Sequence, residues 1–215
     1  MLRHGQPDFP GRLSYIYGHT DYPLSAAGEA QARALGEALA DIPMQRIVSS
    51  DLARAAKTAD IVAALQRAPS CAVERDAALR EIYMGEWDGM PKDEVAANYL
   101  DVFRTRGEDF VNTAAPGGET FRELQTRGLA AFQRIVRESR DLERILLVAH
   151  GGIFWSIVAG LFDLELGDML RFGLDYCALH LVEYAPGGES PEGAYRLMRY
   201  NWSPNLMDYM DFPIE

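Results

Sequence analysis

Apolar positions along this chain switch between two spacings, and the switches mark its elements. Leu35, Ala38, Leu39 and Ile42 recur at helical intervals behind Ser25, an N-cap residue, which predicts a helix from there to about Asp41. RIVSS (46–50) is short and β-branched and reads as a strand. Ser50 or Asp51 is placed to cap the next helix, with Ile61, Val62 and Leu65 on its buried stripe. Turn residues and one short strand are expected between Ala72 and Gly89. Helical patterns follow at about 91–103 and 119–139, the second opened by the breaker Pro116-Gly117-Gly118. RILLVA (144–149) is apolar throughout, as in a strand covered on both faces, and it runs through His150-Gly151-Gly152 into a helix. CALHLVEY and AYRLMRYNW flank APGGESPEG and predict a β-hairpin.

Strands that alternate with helices indicate an α/β sandwich with a mostly parallel central sheet, and the final hairpin adds an antiparallel pair. At 215 residues, 48% hydrophobic, the chain reads as a single domain over 1–215, with 90–118 a helical excursion over one face. The most apolar stretch, GGIFWSIVAGLF (151–162), is too short to span a bilayer, and no secretory signal stands before Arg3. Cys71 and Cys177 lie far apart without a CxxC spacing, so each reads as a small buried apolar residue and the compartment as a reducing cytoplasm.

Twenty-one Lys and Arg against 32 Asp and Glu leave a net charge of −11. That balance argues against nucleic-acid or anionic-membrane partners. A few arginines in one pocket still suit a small anion. In a parallel sheet ligands bind beyond the carboxyl ends of the strands. His4 follows the stub of a first strand, Arg54 lies in the first turn after RIVSS, and His150 ends RILLVA. Arg3, His4, Arg54 and His150 are therefore delivered to one edge, where helix N-termini after Ser50 and His150 also favour an anion. A neutral imidazole attacks phosphorus, and guanidinium forks match phosphoryl oxygens. A carboxyl facing a phosphate dianion holds its proton more tightly and can donate it near neutral pH. Glu81, Glu86 and Asp88 in LREIYMGEWDG all meet that description, and residue chemistry does not choose among them.

The pieces LRHGQP, YGHTDYPLSAAGEAQA, VSSDLARAAKTA, LREIYMGEWDG, PGGET and LLVAHGG resemble the histidine phosphatase superfamily, phosphoglycerate mutase-like branch, in that family's order over roughly residues 2–152. The resemblance implies a three-layer α/β/α sandwich. It also implies that His4 is the phosphorylated nucleophile, that Arg3, Arg54 and His150 form the phosphate pocket, and that Glu81 is the proton donor. Gly18, Thr20 and Gly151 join them as pocket lining. The implied activity is that of a metal-independent phosphoric monoester hydrolase of the histidine acid phosphatase type. It needs no cofactor, and its partner is a small-molecule phosphate ester, with a homodimer left open. The alternatives are a phosphoglycerate-type phosphomutase and a catalytically weak phosphate-binding module.

The chain departs from the family pattern in several places. Only Met1 and Leu2 precede the RHG tripeptide, which points to an unusually short first strand or a start upstream. Gln6 replaces a frequent Glu, His19 a frequent Trp, and the loop after RHG lacks a common Asn. His180, mid-strand, reads as structural. Glu86, Trp87 and Asp88 are expected to shape their loop, and Arg104 and Arg106 to lie on a solvated helix face rather than at a second anion site. No metal-ligand spacing is present.

Overall fold

The computed structural model describes residues 1–11, 14–68, 72–185 and 194–204. Among them the strands are β1 (Leu2–Arg3), β2 (Arg46–Ser49), β3 (Val73–Arg75), β4 (Ile145–Ala149), β5 (Leu179–Ala185) and β6 (Ala194–Trp202). They form one sheet in the order β3-β2-β4-β1-β5-β6. The pairs β2–β3, β2–β4 and β1–β4 are parallel, whereas β1–β5 and the hairpin β5–β6 are antiparallel. The helices are α1 (Ala26–Ala38), α2 (Ala53–Ala64), α3 (Lys92–Asn98), α4 (Leu100–Glu108), α5 (Phe121–Glu138) and α6 (Gly151–Leu161). The chain folds as the three-layer α/β/α sandwich that its sequence implies.

Side chains alternate across a strand, so a doubly covered sheet needs apolar residues at every position. Leu2, Ile47, Leu146 and Val148 pack in one buried cluster with Leu35, Ala59 and Val62 of α1 and α2. Their strand neighbours Val48, Leu147 and Ala149 belong to a second cluster with Phe132, Ile135, Ile153 and Ile157 of α5 and α6. Two continuous apolar runs thus feed both faces.

Local signals place most boundaries. Ser25 Oγ accepts the Gly28 N–H at 3.0 Å, as expected of the α1 cap. Thr120 and Glu123 form a reciprocal capping box at the head of α5. Two expectations fail for tertiary reasons. Helix α1 stops at Ala38, and Ile42 beyond it is exposed rather than buried. Neither Ser50 nor Asp51 caps α2. Its N-cap is Leu52, and the Ala53 N–H goes to the Asp21 carboxylate at 2.7 and 2.9 Å. Ser50 turns to His150 instead, and Asp51 pairs with Arg80 at 2.6 Å.

The segment 90–118 holds α3 and α4, and Arg106 on α4 departs from expectation. It is buried, not solvated: its guanidinium lies 4.5 Å from the Phe110 ring and 5.8 Å from Phe121. Its long stem and planar head let an arginine pack among rings that a lysine would leave. Arg104 is exposed, as expected. Cys177 is buried and free, while Cys71 and the hairpin loop after Ala185 lie outside the described residues. No helix is long and apolar enough to cross a membrane among the described residues.

Candidate active site

Sheet register assembles the centre of the site. In the parallel pair β1–β4, Arg3 lies opposite Ala149, so the next residues, His4 and His150, leave the sheet side by side. The His4 N–H donates to Ala149 O at 3.0 Å and extends the ladder by one step. The two rings meet edge to face with centroids 5.0 Å apart, and both residues are buried.

Their hydrogen bonds decide what each ring can do. His4 Nδ1 lies 2.7 Å from Gly5 O, an acceptor, so that nitrogen carries the proton and Nε2 keeps its lone pair. His150 Nε2 lies 2.9 Å from Ser50 Oγ, which already accepts the Leu52 N–H. Among the described residues the serine hydrogen has no other acceptor than His150 Nε2, an arrangement that favours the ring proton on Nδ1. Burial, then Arg54 and Arg3, hold the His4 pKa well below the usual histidine value against a smaller opposing pull from Gly5. Burial, Arg54, His4 and Arg3 do the same to His150. Both imidazoles are neutral at neutral pH.

Arg54 enters from the first turn of α2 and is fully buried. It donates to Gly18 O at 2.6 Å and to Thr20 O at 3.0 Å. Arg3 donates to Leu174 O and lies with its guanidinium carbon 4.1 Å from the Tyr176 ring. Gly151 lies beneath it: a Cβ there would stand 3.5 Å from Arg3 Nε and 3.2 Å from Leu174. Among the described residues, three buried nitrogens around the ring pair have no hydrogen-bond partner: Arg3 Nε, Arg54 Nε and His150 Nδ1. Leaving such groups unpaired is costly, and convergent orphan donors mark an anion site.

The structure separates the carboxylates that the sequence left equivalent. Glu81 reaches the head of α6, where Oε2 accepts the Gly152 N–H at 2.9 Å while Oε1 accepts from Ile82 N at 2.9 Å. A Cβ on Gly152 would stand 2.5 Å from Glu81 Oε1, so this approach requires the glycine. Asp88 instead ties the loop that holds Arg54, accepting from Gly18 N, His19 N, Thr20 N and Thr20 Oγ1 at 2.6–3.0 Å. Burial pushes its carboxyl up, but these hydrogen bonds win and hold its pKa below the usual range. Glu86 accepts from the Tyr99 hydroxyl at 3.1 Å, at the excursion. The Gly18 and Thr20 carbonyls thus brace Arg54, and the Thr20 hydroxyl is committed to Asp88. One N–H at each helix head is also engaged, Ala53 N by Asp21 and Gly152 N by Glu81.

Beside Glu81 an open cleft of about 350 Å³ is lined by His19, Tyr83, Gly118, Glu119, Glu123 and Arg127. His19 Nε2 lies 2.9 Å from Glu81 O, and Arg127 donates to the carbonyls of Ala78, Arg80 and Glu81 while pairing with Glu119 at 2.8 Å. Arg127 therefore fixes the backbone that carries Glu81. Arg127 supports the site from outside every quoted motif, whereas Asp88 lies in LREIYMGEWDG and Ser50 in VSSDLARAAKTA, immediately after β2. No grouping of three His, Cys, Asp or Glu suited to a metal ion occurs among the described residues.

The family model of the histidine phosphatase superfamily (branch 1) matches residues 1–195. The chain belongs to that superfamily. Among its curated relatives, a 2,3-bisphosphoglycerate-dependent phosphoglycerate mutase 2 of Gloeobacter violaceus is 31% identical over 189 residues, covering 87% of this chain and 86% of the relative. Among solved structures, a mycobacterial glucosyl-3-phosphoglycerate phosphatase superposes with TM-score 0.79 at 28% identity, covering 94% of this chain and 97% of that one. The alpha-ribazole phosphatase of Shigella flexneri shares the fold with TM-score 0.80 at 23% identity, covering 94% of each chain. The chain is thus an enzyme of the phosphatase and phosphoglycerate mutase type, and its substrate is not fixed by its relatives.

Proposed function

We propose that this protein hydrolyses a small-molecule phosphomonoester without a metal, through a phosphohistidine at His4. One observation carries the reading: a bare His4 Nε2 shares its buried pocket with three nitrogens, on Arg3, Arg54 and His150, that have no partner among the described residues. Guanidinium groups neutralise the equatorial phosphoryl oxygens, and His150 Nδ1–H donates to a third, which supplies the charge stabilisation a metal would otherwise bring.

The His4 Nε2 lone pair attacks phosphorus and the bond to the ester oxygen breaks. The electron pair leaves with that oxygen, which takes a proton from the Glu81 carboxyl. Gly5 O, accepting from Nδ1–H, steadies the positive charge that grows on the ring. In the second half a water attacks phosphorus and gives its proton to the Glu81 carboxylate. The P–Nε2 bond breaks, phosphate departs, and His4 and Glu81 return to their starting states.

The leaving group occupies the cleft beside Glu81. Its lining cation, Arg127, is already paired with Glu119, and Glu123 adds another negative charge. That lining suits a neutral hydroxylated alcohol better than one with a second anionic group. The buried free thiol of Cys177 fits the reducing cytoplasm that we assign to the protein.

A panel of phosphomonoesters assayed for released phosphate, with and without EDTA, tests the reading. Release of phosphate that survives EDTA is expected. Activity restored only by a divalent metal refutes the mechanism, transfer to a second hydroxyl replaces it with the mutase, and phosphate binding without turnover leaves a binding module.

A further inference from the structure

Two half-buried tyrosines lie against the phosphate-binding arginines, and no part of the mechanism above uses them. Tyr176 lies with its ring 4.1 Å from the Arg3 guanidinium carbon and 5.6 Å from the His4 ring. Tyr17 lies with its ring 5.2 Å from the Arg54 guanidinium carbon. Their hydroxyls meet at 3.2 Å, so the pair bridges the two phosphate-binding arginines.

Each tyrosine is anchored to the residue it covers. Tyr17 precedes Gly18, whose carbonyl takes Arg54 and whose N–H is held by Asp88. Tyr176 is flanked by segments bonded to the strand stub: Arg3 N donates to Ala178 O, and Cys177 N donates to His4 O at 3.2 Å. Rings against the guanidinium faces do not occupy the N–H edges, and among the described residues Arg3 Nε and Arg54 Nε have no hydrogen-bond partner. The paired hydroxyls thus belong to rings that lie against Arg3, Arg54 and, for Tyr176, His4.

We propose that the hydroxyls of Tyr17 and Tyr176 are phosphoryl ligands, which exchange their mutual hydrogen bond for two hydrogen bonds to the transferring group. They complete a donor set otherwise made of Arg3, Arg54 and His150. The inference rests on the phosphohistidine reading of the same pocket. Burial, followed by the neighbouring Tyr176, pushes the Tyr17 pKa up, so this hydroxyl keeps its proton as a donor throughout the working pH range.

Tyr17→Phe, Tyr176→Phe and the double variant keep both rings and remove only the hydroxyls. Turnover of p-nitrophenyl phosphate and of an alkyl phosphate is measured with each, together with inhibition by orthovanadate, an analogue of the pentacoordinate phosphoryl group. Each single variant is expected to lose about ten- to a hundred-fold in kcat/KM and in orthovanadate affinity, since a hydrogen bond to a charged group is lost. The loss is the same for both esters, because the phosphoryl group is common to them, and the double variant loses roughly the product. Unchanged orthovanadate affinity, or a double variant no worse than either single one, overturns the assignment and leaves the pair as packing. A loss confined to one ester places the hydroxyls on the leaving group and overturns it too. Wild-type protein that neither turns over an ester nor binds orthovanadate overturns the phosphatase reading and this assignment with it. Wild-type activity with unaltered variants overturns the tyrosine assignment alone.

Discussion

His4 and His150 come from segments 146 positions apart in the chain, yet their rings stand 5.0 Å apart because Arg3 and Ala149 are register partners in adjacent parallel strands. Two successive residues at the carboxyl ends of neighbouring strands need no loop to bring them together. The relationship also explains their shared electrostatics, since both rings lie in the field of Arg3 and Arg54 and both are held neutral.

The pH dependence of stability follows from that neutrality. The folded pKa values of His4 and His150 lie well below the unfolded value, and burial brings His180 down to about 3. The unfolded chain therefore binds more protons between the folded values and about 6.5. Stability from these groups is complete above about pH 6.5 and is lost as pH falls toward the folded values. Each costs about 1.4 kcal/mol per pH unit in that window. Thermal melts from pH 8 to pH 5 should show a melting temperature that falls more steeply below about pH 6.5 than above it, where the buried Met1 amine, lowered from 8.0 to about 5, contributes alone among the lowered bases. A melting temperature that rises on acidification would contradict the neutral assignment.

Much of the fold and of the site is legible in the amino-acid sequence, and the exceptions share a cause. RIVSS and RILLVA declare their strands because both faces of the sheet are covered, and the residues following them inherit a place at its edge. Ser25 reads as a cap because its partner is three residues away. The α2 cap does not, because Asp21 approaches from a distant loop and His150 diverts Ser50. Arg106 looks solvated in the sequence because its packing against Phe110 and Phe121 depends on how separate segments come together. The choice among Glu81, Glu86 and Asp88 needs three-dimensional partners, and the Tyr17–Tyr176 contact spans 159 positions without any local periodicity.

The division of labour among the carboxylates predicts a leaving-group signature. Glu81→Gln keeps the shape of the side chain but cannot donate a proton. Its penalty should be about 10²–10⁴-fold with an alkyl phosphate, whose alkoxide departs poorly, and should nearly vanish with p-nitrophenyl phosphate. Glu86→Gln, which disturbs only the contact with Tyr99, should behave as wild type on both. Equal losses on the two esters for Glu81→Gln would reduce it to a positioning group. The signature appearing at Glu86 instead would move the acid.

Asp88 acts through Arg54. Asp88→Ala removes the acceptor of four hydrogen bonds from Gly18, His19 and Thr20, and with it the brace for the two carbonyls that hold the guanidinium. The expected result is a higher KM and weaker inhibition by inorganic phosphate, with a stability loss of about 1–3 kcal/mol. Unchanged phosphate affinity in a destabilised variant would show that the loop supports the fold but not the pocket.

Ser50 sets the tautomer of His150. Ser50→Ala removes the hydroxyl 2.9 Å from Nε2 and releases the constraint that puts the proton on Nδ1. Activity should fall about tenfold, the worth of one hydrogen bond to a charged group. Nitrogen chemical shifts of the His150 ring should move from a pure Nδ1–H form toward a mixture. A wild-type ring already mixed, or protonated on Nε2, would remove His150 as a donor to the phosphoryl group.

Rapid-quench trapping of the enzyme during turnover tests the covalent intermediate directly. Wild-type protein mixed with substrate and quenched within one turnover should carry a single phosphoryl group on His4, labile in acid and stable in alkali. His4→Ala should carry none and should release no phosphate. Turnover by His4→Ala, or an adduct mapped to another residue, would contradict the phosphohistidine mechanism at its first step.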